Sequence, residues 1–425
     1  MQTVIVIIEN DVFQQGIDNG LYLGRSGDFA IINHFFEDGY KVIITTPSLL
    51  IKNKKFVIET IQYSTPNVAI QCIFQEYQNI IQNLPPSSGQ IEDLLGKIIV
   101  SPIENIKDIS LLISRAMPQS LTDDFLVQFN QLAQISQIVP QNMEDICLYK
   151  DKVIPYLLQN NHENVSTLYA EYSPIVAKFR NQLKADYSSI AMNTSIVELV
   201  SGVNIDEKIR AIPLPICIKP FNLFGGIGVG VFNEYSKAVE HFQKIEEEFA
   251  KYQITQTKLV LIQQAVKNPE FGDIRAIFSR GNFLGAFKRY EPINNIHNTI
   301  NGARIIPVCD ETLNFSDTFP KNLHTPFTTA IQTLRSLFHD VEFLKQEFIC
   351  GCDFLLDGTS FKLTEINIAC PTGFAFLEAS LLYIKHGKML KLTEIEEHFQ
   401  SNAIHKGETL VRNVTSELCN IKLLA

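Results

Sequence analysis

The chain has no CxxC pair, no clustered His and Cys of zinc-site spacing, no basic run and no apolar stretch long enough to cross a bilayer. Each absence closes off a class of function. A membrane-spanning helix needs about 18 or more consecutive apolar residues, so no membrane partner is expected. The opening MQTVIVIIEN lacks the basic flank and cleavage site of a signal peptide, and TVIVII reads instead as a buried first strand, which makes a cytoplasmic protein the expectation. The net charge of -10, with no basic surface run, argues against a nucleic-acid role. The 8 cysteines are scattered, and the lone CxC of Cys350 and Cys352 lies inside an apolar strand, so reduced buried thiols are expected rather than a disulfide framework. Asn and Gln are abundant but form no long tract, and no internal repeat is visible.

What remains is the composition of an α/β protein. The 425 residues are 45% hydrophobic, and strand and helix patterns alternate along them, enough for two or three domains. The first strand, a helix over 28–38, the strand KVIITTP and the run ISLLISR predict an open, mostly parallel sheet in residues 1–125. A central module over 126–258 carries a polar insertion at 158–212. Pro213 and Pro215 mark the entry to its next strand. Residues 259–425 then hold further strands, a helix near 325–337 and a tail.

The segment from Ile349 to Gly373 is the most informative, because it places Asp353, Glu365 and Asn367 on one predicted β-hairpin. Two carboxylates and an amide oxygen suit a hard divalent cation that keeps positions for water and substrate phosphates. Side chains alternate along a strand, so Glu365 and Asn367 share a face, and Asp353 joins them only if the hairpin loop is odd in length. A two-residue Asp357-Gly358 turn fails this test. A three-residue loop Asp357-Gly358-Thr359 with Gly358 left-handed satisfies it, setting Asp353 across from Leu363 and diagonal to Glu365. A solvated hairpin edge carries such residues too. The same alternation puts Cys350 and Cys352 on the face away from Asp353.

Upstream, PICIKPFNLFGGIGVGVF runs from an apolar strand through Lys219 into a loop with Gly225, Gly226, Gly228 and Gly230, then into a second strand. Glycines allow backbone amides to approach phosphate oxygens, and a lysine at the end of the preceding strand adds a compact positive charge. A tight structural turn explains the glycines equally well. Between these motifs, strands joined near Gly281-Asn282 carry Arg275 and Arg289. Arginines borne on a sheet require anionic partners, either a transferring phosphoryl group or an internal salt bridge.

In their order, these segments resemble the ATP-grasp superfamily, and within it the prokaryotic-type glutathione synthetases. Lys219-Pro220 matches the pair that opens that family's lid. Gly272-Asp273-Ile274-Arg275 and Gly285-Ala286-Phe287-Lys288-Arg289 match its two arginine strands. Asp353, then Leu363-Thr364-Glu365-Ile366-Asn367, then Pro371-Thr372-Gly373 match its metal-binding end, the most specific of these strings. Phe29-Ala30 and Gly39-Tyr40 are similar to its opening, and Arg115 stands where that family has an arginine ending a strand. The resemblance implies an ATP-grasp fold of two α+β subdomains clasping ATP behind the N-terminal sheet. It implies that Asp353, Glu365 and Asn367 hold magnesium, with manganese as an alternative, and that Lys219 and the lid glycines contact nucleotide phosphate. Arg275 and Arg289 then face the γ-phosphate and the acyl phosphate. Lys150 or Lys152 supplies a second nucleotide contact, and Lys152 fits the pattern better. Asn298 lies in a closing loop beside His297, which reads as an exposed loop histidine.

That constellation implies an ATP-dependent carboxylate-amine ligase working through an acyl phosphate on small-molecule acids and amines, possibly γ-glutamylcysteine and glycine. A homo-oligomer follows by analogy with the family. The chain departs from the family after Gly373, where Phe374-Ala375-Phe376-Leu377-Glu378 stands in place of a charged run containing an arginine. That departure, the 158–212 insertion and the tail beyond Lys385 put the substrates in question and keep a second reading open, a nucleotide-binding regulatory or scaffold protein without turnover.

Overall fold

A computed structural model of the chain describes residues 3–7, 40–51, 54–63, 68–86, 94–102, 109–114, 123–133, 137–139, 158, 179, 181–199, 204–220, 227–251, 259–290, 303–346, 350–367, 373–395 and 397. The chain divides into two compact units, Met1–Glu144 with Ala369–Ala425, and Asp145–Ile368. Among the described residues no helix is long and apolar enough to cross a membrane.

The first unit is built on a six-stranded sheet of β1 (Thr3–Ile7), β2 (Lys41–Thr45), β3 (Lys54–Tyr63), β4 (Leu94–Pro102), β5 (Ile109–Ser114) and β6 (Gln137–Val139), in the order β4-β3-β2-β1-β5-β6. β1 runs parallel to β2 and β5, and β5 parallel to β6, while β3 is antiparallel to both its neighbours. The mostly parallel sheet expected from sequence is therefore present, extended on one side by an antiparallel pair and on the other past residue 125. Every residue of β1 is buried, as befits an interior parallel strand, which has no solvent face to make polar. α1 (Pro47–Ile51), α2 (Val68–Gln82) and α3 (Asp123–Ala133) accompany the sheet.

The second unit holds two antiparallel sheets. One comprises β7 (Thr194–Glu198), β8 (Ile216–Pro220), β9 (Gly230–Phe232) and β10 (Leu259–Gln264), ordered β7-β10-β8-β9. α4 (Ile205–Arg210) and α5 (Tyr235–Lys251) share its core. Phe242, Ile245 and Phe249 of α5 pack against Ile216, Ile218, Val260 and Ile262, which turns Lys219, Leu261 and Gln263 to the opposite side of the strands. β7 falls inside the polar insertion, so part of that segment is an integral edge strand.

The other sheet comprises β11 (Asp273–Ser279), β12 (Asn282–Tyr290), β13 (Arg304–Asp310), β14 (Cys350–Asp357) and β15 (Ser360–Asn367), ordered β13-β12-β11-β14-β15. α6 (His324–Asp340), four residues longer than the helix expected from sequence, is followed by α7 (Glu342–Gln346). α6 covers the apolar face of this sheet. Phe338 stacks on Phe278 with ring centroids 4.7 Å apart, and Phe327 meets Phe354 and Phe361 edge-on at 6.1 and 5.1 Å. Cys350 and Cys352 are buried on this face, opposite Asp353 as alternation required, and burial pushes the Cys352 thiol up.

The last described helix, α8 (Phe374–His386), was expected within the C-terminal module. It belongs instead to the first unit, where Ala379 and Leu382 share a core with Ile73 and Tyr77 of α2. Nearness in sequence to the β14–β15 hairpin concealed this, because α8 is apolar enough to suit either core.

Candidate active site: a charged face on an antiparallel sheet

The β14–β15 hairpin solves its parity problem differently from the expected loop. Gly358 is left-handed, with φ of +64° as expected, but the turn has two residues, Gly358 and Thr359, because Asp357 pairs with Ser360. Continued regularly, that register sets Asp353 against Thr364 and turns Glu365 to the opposite face. A β-bulge corrects it. Phe354 pairs with Leu363 and Asp353 with Glu365, leaving Thr364 as the extra residue, and the Thr364 hydroxyl donates to the Asp353 carbonyl at 3.0 Å. Asp353 thus lies directly across from Glu365, not from Leu363, and Gly351 pairs with Asn367. The three expected metal ligands share one face.

Arg275 pairs in register with Asp353 on one side, while Asp273, two residues earlier, pairs with Arg289 on the other. The side chains form a buried chain of alternating charge. Arg275 grips Asp353 bidentately, Nε to Oδ1 and Nη2 to Oδ2, both at 2.7 Å. Arg289 grips Asp273 in the same way at 2.6 Å for each bond, and its Nη2 also reaches Asp353 Oδ2 at 2.9 Å. Asn367 Nδ2 donates to Glu365 Oε1 at 3.0 Å and reaches Asp353 Oδ2 at 3.4 Å. Each arginine therefore makes the internal ion pair that the sequence left as the alternative to a phosphate. Fork-to-fork geometry of this kind is strong and directional.

The charges reinforce one another. Burial alone raises the Asp353 carboxyl, but Arg275 and then Arg289 overcome it and hold the group well below the usual carboxylate range. At the outer end, burial outweighs Arg289 and pushes Asp273 up to about 6, still ionised at neutral pH. Burial lowers Arg289 while Asp273 and Asp353 raise it, and the carboxylates win.

Gly272, the first residue of the arginine motif, explains itself here. Its backbone sits at φ 91° and ψ -173°, and a Cβ there would fall 2.2 Å from the Arg289 carbonyl oxygen. Only glycine lets the Pro269–Phe271 turn lie against β12 at the point where Asp273 must meet Arg289.

On the other antiparallel sheet, Lys219 is half-buried opposite Leu261, on the face turned away from α5. Sequence reasoning missed Gln263 on that same face. It is only 1% exposed, and its Nε2 donates to Thr194 Oγ1 at 3.1 Å. The Thr194 hydroxyl is itself spent on the Met192 carbonyl, so Gln263 Oε1 remains a buried acceptor with no partner among the described residues. Buried acceptors are rarely left so. The available signal was Gln263 itself, the first polar residue after the apolar run Leu259 to Ile262 in this central strand.

Gly228 has a structural reason to be glycine beyond any phosphate. It is left-handed, and a Cβ would lie 2.6 Å from Pro220 Cγ. Its carbonyl bonds to His241 Nε2 at 2.8 Å, which ties the base of the glycine turn to α5. Gly225, Gly226, Lys150, Lys152, Arg115, His297, Asn298, Pro371, Thr372, Phe29-Ala30, Gly39 and the helix expected over 28–38 lie outside the described residues.

The chain matches no protein-family model and no curated protein sequence. Among solved structures it is similar to the VanG D-Ala:D-Ser ligase of Enterococcus faecalis, with 10% identity and a TM-score of 0.49 over 99% of each chain. It is also similar to the D-alanine–D-alanine ligase of Bacillus anthracis complexed with ATP, with 13% identity and a TM-score of 0.45 over 95% of this chain and 100% of that one. For the D-cycloserine synthetase DcsG the values are 11% and 0.47, over 91% of this chain and 100% of that one. At such distances, what those enzymes bind and make stays with them.

The donor set fits a hard cation in kind. Asp353, Glu365 and Asn367 offer oxygen ligands on one face, as magnesium requires. Among the described residues no group of three or more His, Cys, Asp or Glu could hold a metal, so the amide oxygen of Asn367 is needed to complete the set. The one conflict is that both Asp353 oxygens already serve guanidiniums.

Proposed function

We propose that the chain is an ATP-grasp protein acting as an ATP-dependent carboxylate-amine ligase of the glutathione-synthetase kind. The observation that carries this reading is the bulged hairpin, which sets Asp353, Glu365 and Asn367 on one face beside the buried Arg275 and Arg289. Asp353, Glu365 and Asn367 would hold magnesium, or manganese in its place, and a bound ion supplies charge neutralisation for phosphate oxygens.

The chain's own groups do the rest. Lys219, with Lys152 and the glycines Gly225, Gly226 and Gly228, neutralises and cradles the nucleotide phosphates, and Gln263 Oε1 accepts a hydrogen bond from the base. Arg275 and Arg289 stabilise negative charge on the transferring phosphoryl group. A substrate carboxylate oxygen attacks the γ-phosphorus, the bond to ADP breaks, and an acyl phosphate results. An amine then attacks the acyl carbon, releasing phosphate and a proton and leaving a C–N bond. The Asn298 loop and the glycine turn close over the acyl phosphate to exclude water. Losing one such charge-stabilising group costs about 10²- to 10³-fold in rate. The glutathione assignment and a homo-oligomeric state follow the motif resemblance.

The test combines ATP, magnesium, γ-glutamylcysteine and glycine, together with a broader panel of acids and amines, and follows ADP release and product mass. The wild-type chain should release ADP and form an amide, and Glu365→Gln should not. Equal ADP release from both removes the ligase reading. The commitment of Asp353 to two arginines favours one second reading, a nucleotide-binding regulatory protein, in which ATP binds and no product forms with any pair.

A further inference from the structure

Asp353 occupies an unusual position for a cation ligand. Its Oδ2 receives Arg275 Nη2 at 2.7 Å, Arg289 Nη2 at 2.9 Å and Asn367 Nδ2 at 3.4 Å, while Oδ1 receives Arg275 Nε at 2.7 Å. An ionised carboxylate has about four lone-pair sites, so these contacts come close to saturating it. A magnesium ligand must bring an oxygen to about 2.1 Å of the ion, a distance that no guanidinium donor on the same lone pair permits. Oδ2, with two lone-pair sites, already faces three donors, so coordination through it, or through both oxygens together, requires Asp353 to give up at least one arginine contact. A buried arginine that loses its carboxylate is destabilised unless another anion takes its place. Asp273 keeps Arg289 anchored through both of its oxygens while the contact to Asp353 changes, so the guanidinium stays at the site.

We propose that Asp353 is an exchangeable counter-ion, binding Arg275 and Arg289 together as in this structure and passing them to a polyphosphate anion when it turns to a divalent cation. Cation and polyphosphate affinities are then coupled through one carboxylate, and by linkage the coupling is reciprocal. The proposal rests on reading this face as a metal-nucleotide site. It accounts for two arginines and two carboxylates forming a neutral buried chain at a place meant for phosphate: the pairing suppresses binding of polyphosphate that arrives without its cation.

The coupling has a counterintuitive consequence. Neutralising Asp353 weakens cation-dependent nucleotide binding yet creates a standing anion site from the Arg275 guanidinium and the Arg289 Nη2 that Asp353 had held. Calorimetric titration of the full-length chain with inorganic tripolyphosphate in excess EDTA tests this. Asp353→Asn should bind the metal-free probe about tenfold or more tightly than wild type, the scale of one charge-assisted hydrogen bond. It should also lose most of the gain that magnesium gives wild type for ATP. If circular dichroism shows Asp353→Asn to be unfolded, Arg275→Met relieves Asp353 of one arginine and should tighten uptake of manganese alone about tenfold by electron paramagnetic resonance, and unchanged uptake overturns the exchange. Unchanged or weaker tripolyphosphate binding in the folded variant overturns the exchange and makes Asp353 a fixed counter-ion. The two readings fail separately. Wild type that binds ATP with magnesium, beside a variant no tighter for tripolyphosphate, refutes the exchange alone. A variant that gains tripolyphosphate while neither protein binds ATP keeps the exchange and removes the nucleotide.

Discussion

Replacing Gly272 by alanine should cost far more than the same change at Gly358, although both glycines have positive φ. At Gly358 the backbone is in the left-handed region with φ of 64°, and an added Cβ meets nothing within 4 Å. The expected loss there is the conformational penalty alone, about 1–2 kcal/mol. Gly272 lies at φ 91° and ψ -173°, a region essentially reserved for glycine, which contributes about 1–3 kcal/mol. Its Cβ would also stand 2.2 Å from the Arg289 carbonyl oxygen, a backbone atom that moves only with β12. Relieving that clash resembles overpacking a core and adds about 1–3 kcal/mol. Gly272→Ala should therefore lose about 2–6 kcal/mol in urea unfolding. The shift in β12 should also loosen the Arg289–Asp273 fork and weaken ATP binding in calorimetry. Equal stability losses for the two variants would refute the argument that close approach to Arg289 selects the glycine.

Lys288 is 8% exposed, lies over the rings of Phe271 and Tyr290 at 4.4 and 5.0 Å, and is lowered by burial from 10.5 to about 8. A lysine depressed in the folded state weakens stability below its folded pKa, and the penalty lifts as pH rises through the window from about 8 to 10.5. Lys288→Met should gain about 1–2 kcal/mol at pH 7, discounting for solvent screening and lost ring contacts, and should flatten stability across that window in thermal melts. Gln263→Leu removes a buried acceptor that lacks a partner, so thermal stability should hold or rise while ATP affinity falls about tenfold by fluorescence titration. Phe327→Ala in α6 empties the centre of an aromatic cluster that includes Phe354 and Phe361, and should cost about 3–5 kcal/mol in denaturant unfolding.

Local pattern revealed the strands that carry the site. β8, β11, β12, β14 and β15 fall where apolar alternation and glycine turns placed them, and the grouping of Glu365 with Asn367 needed only the period of a strand. The partners did not show in the same way. Thr364 looks like any β-branched residue in a strand, yet it is the bulge that brings Asp353 opposite Glu365, a choice made by packing on both faces at once. Asp273 stands in plain view in the motif, but its fork to Arg289 spans 16 residues and depends on the pairing of β11 with β12. α8 carries apolar residues that suit either core, and only tertiary contact assigns it to α2. β7 was hidden in a segment read as an insertion because its sequence, TSIVE, is short and mixed.

The central claim is that the charged face of the β11–β15 sheet binds a metal-nucleotide. Electron paramagnetic resonance of manganese added with ATP to the full-length chain tests it most directly, comparing wild type with Glu365→Gln. The account predicts stoichiometric, ATP-dependent loss of the free manganese signal in wild type, and affinity lowered about 10²-fold by the substitution, the value of one charged ligand at such a site. Equal uptake by both proteins, or none by either, would contradict it.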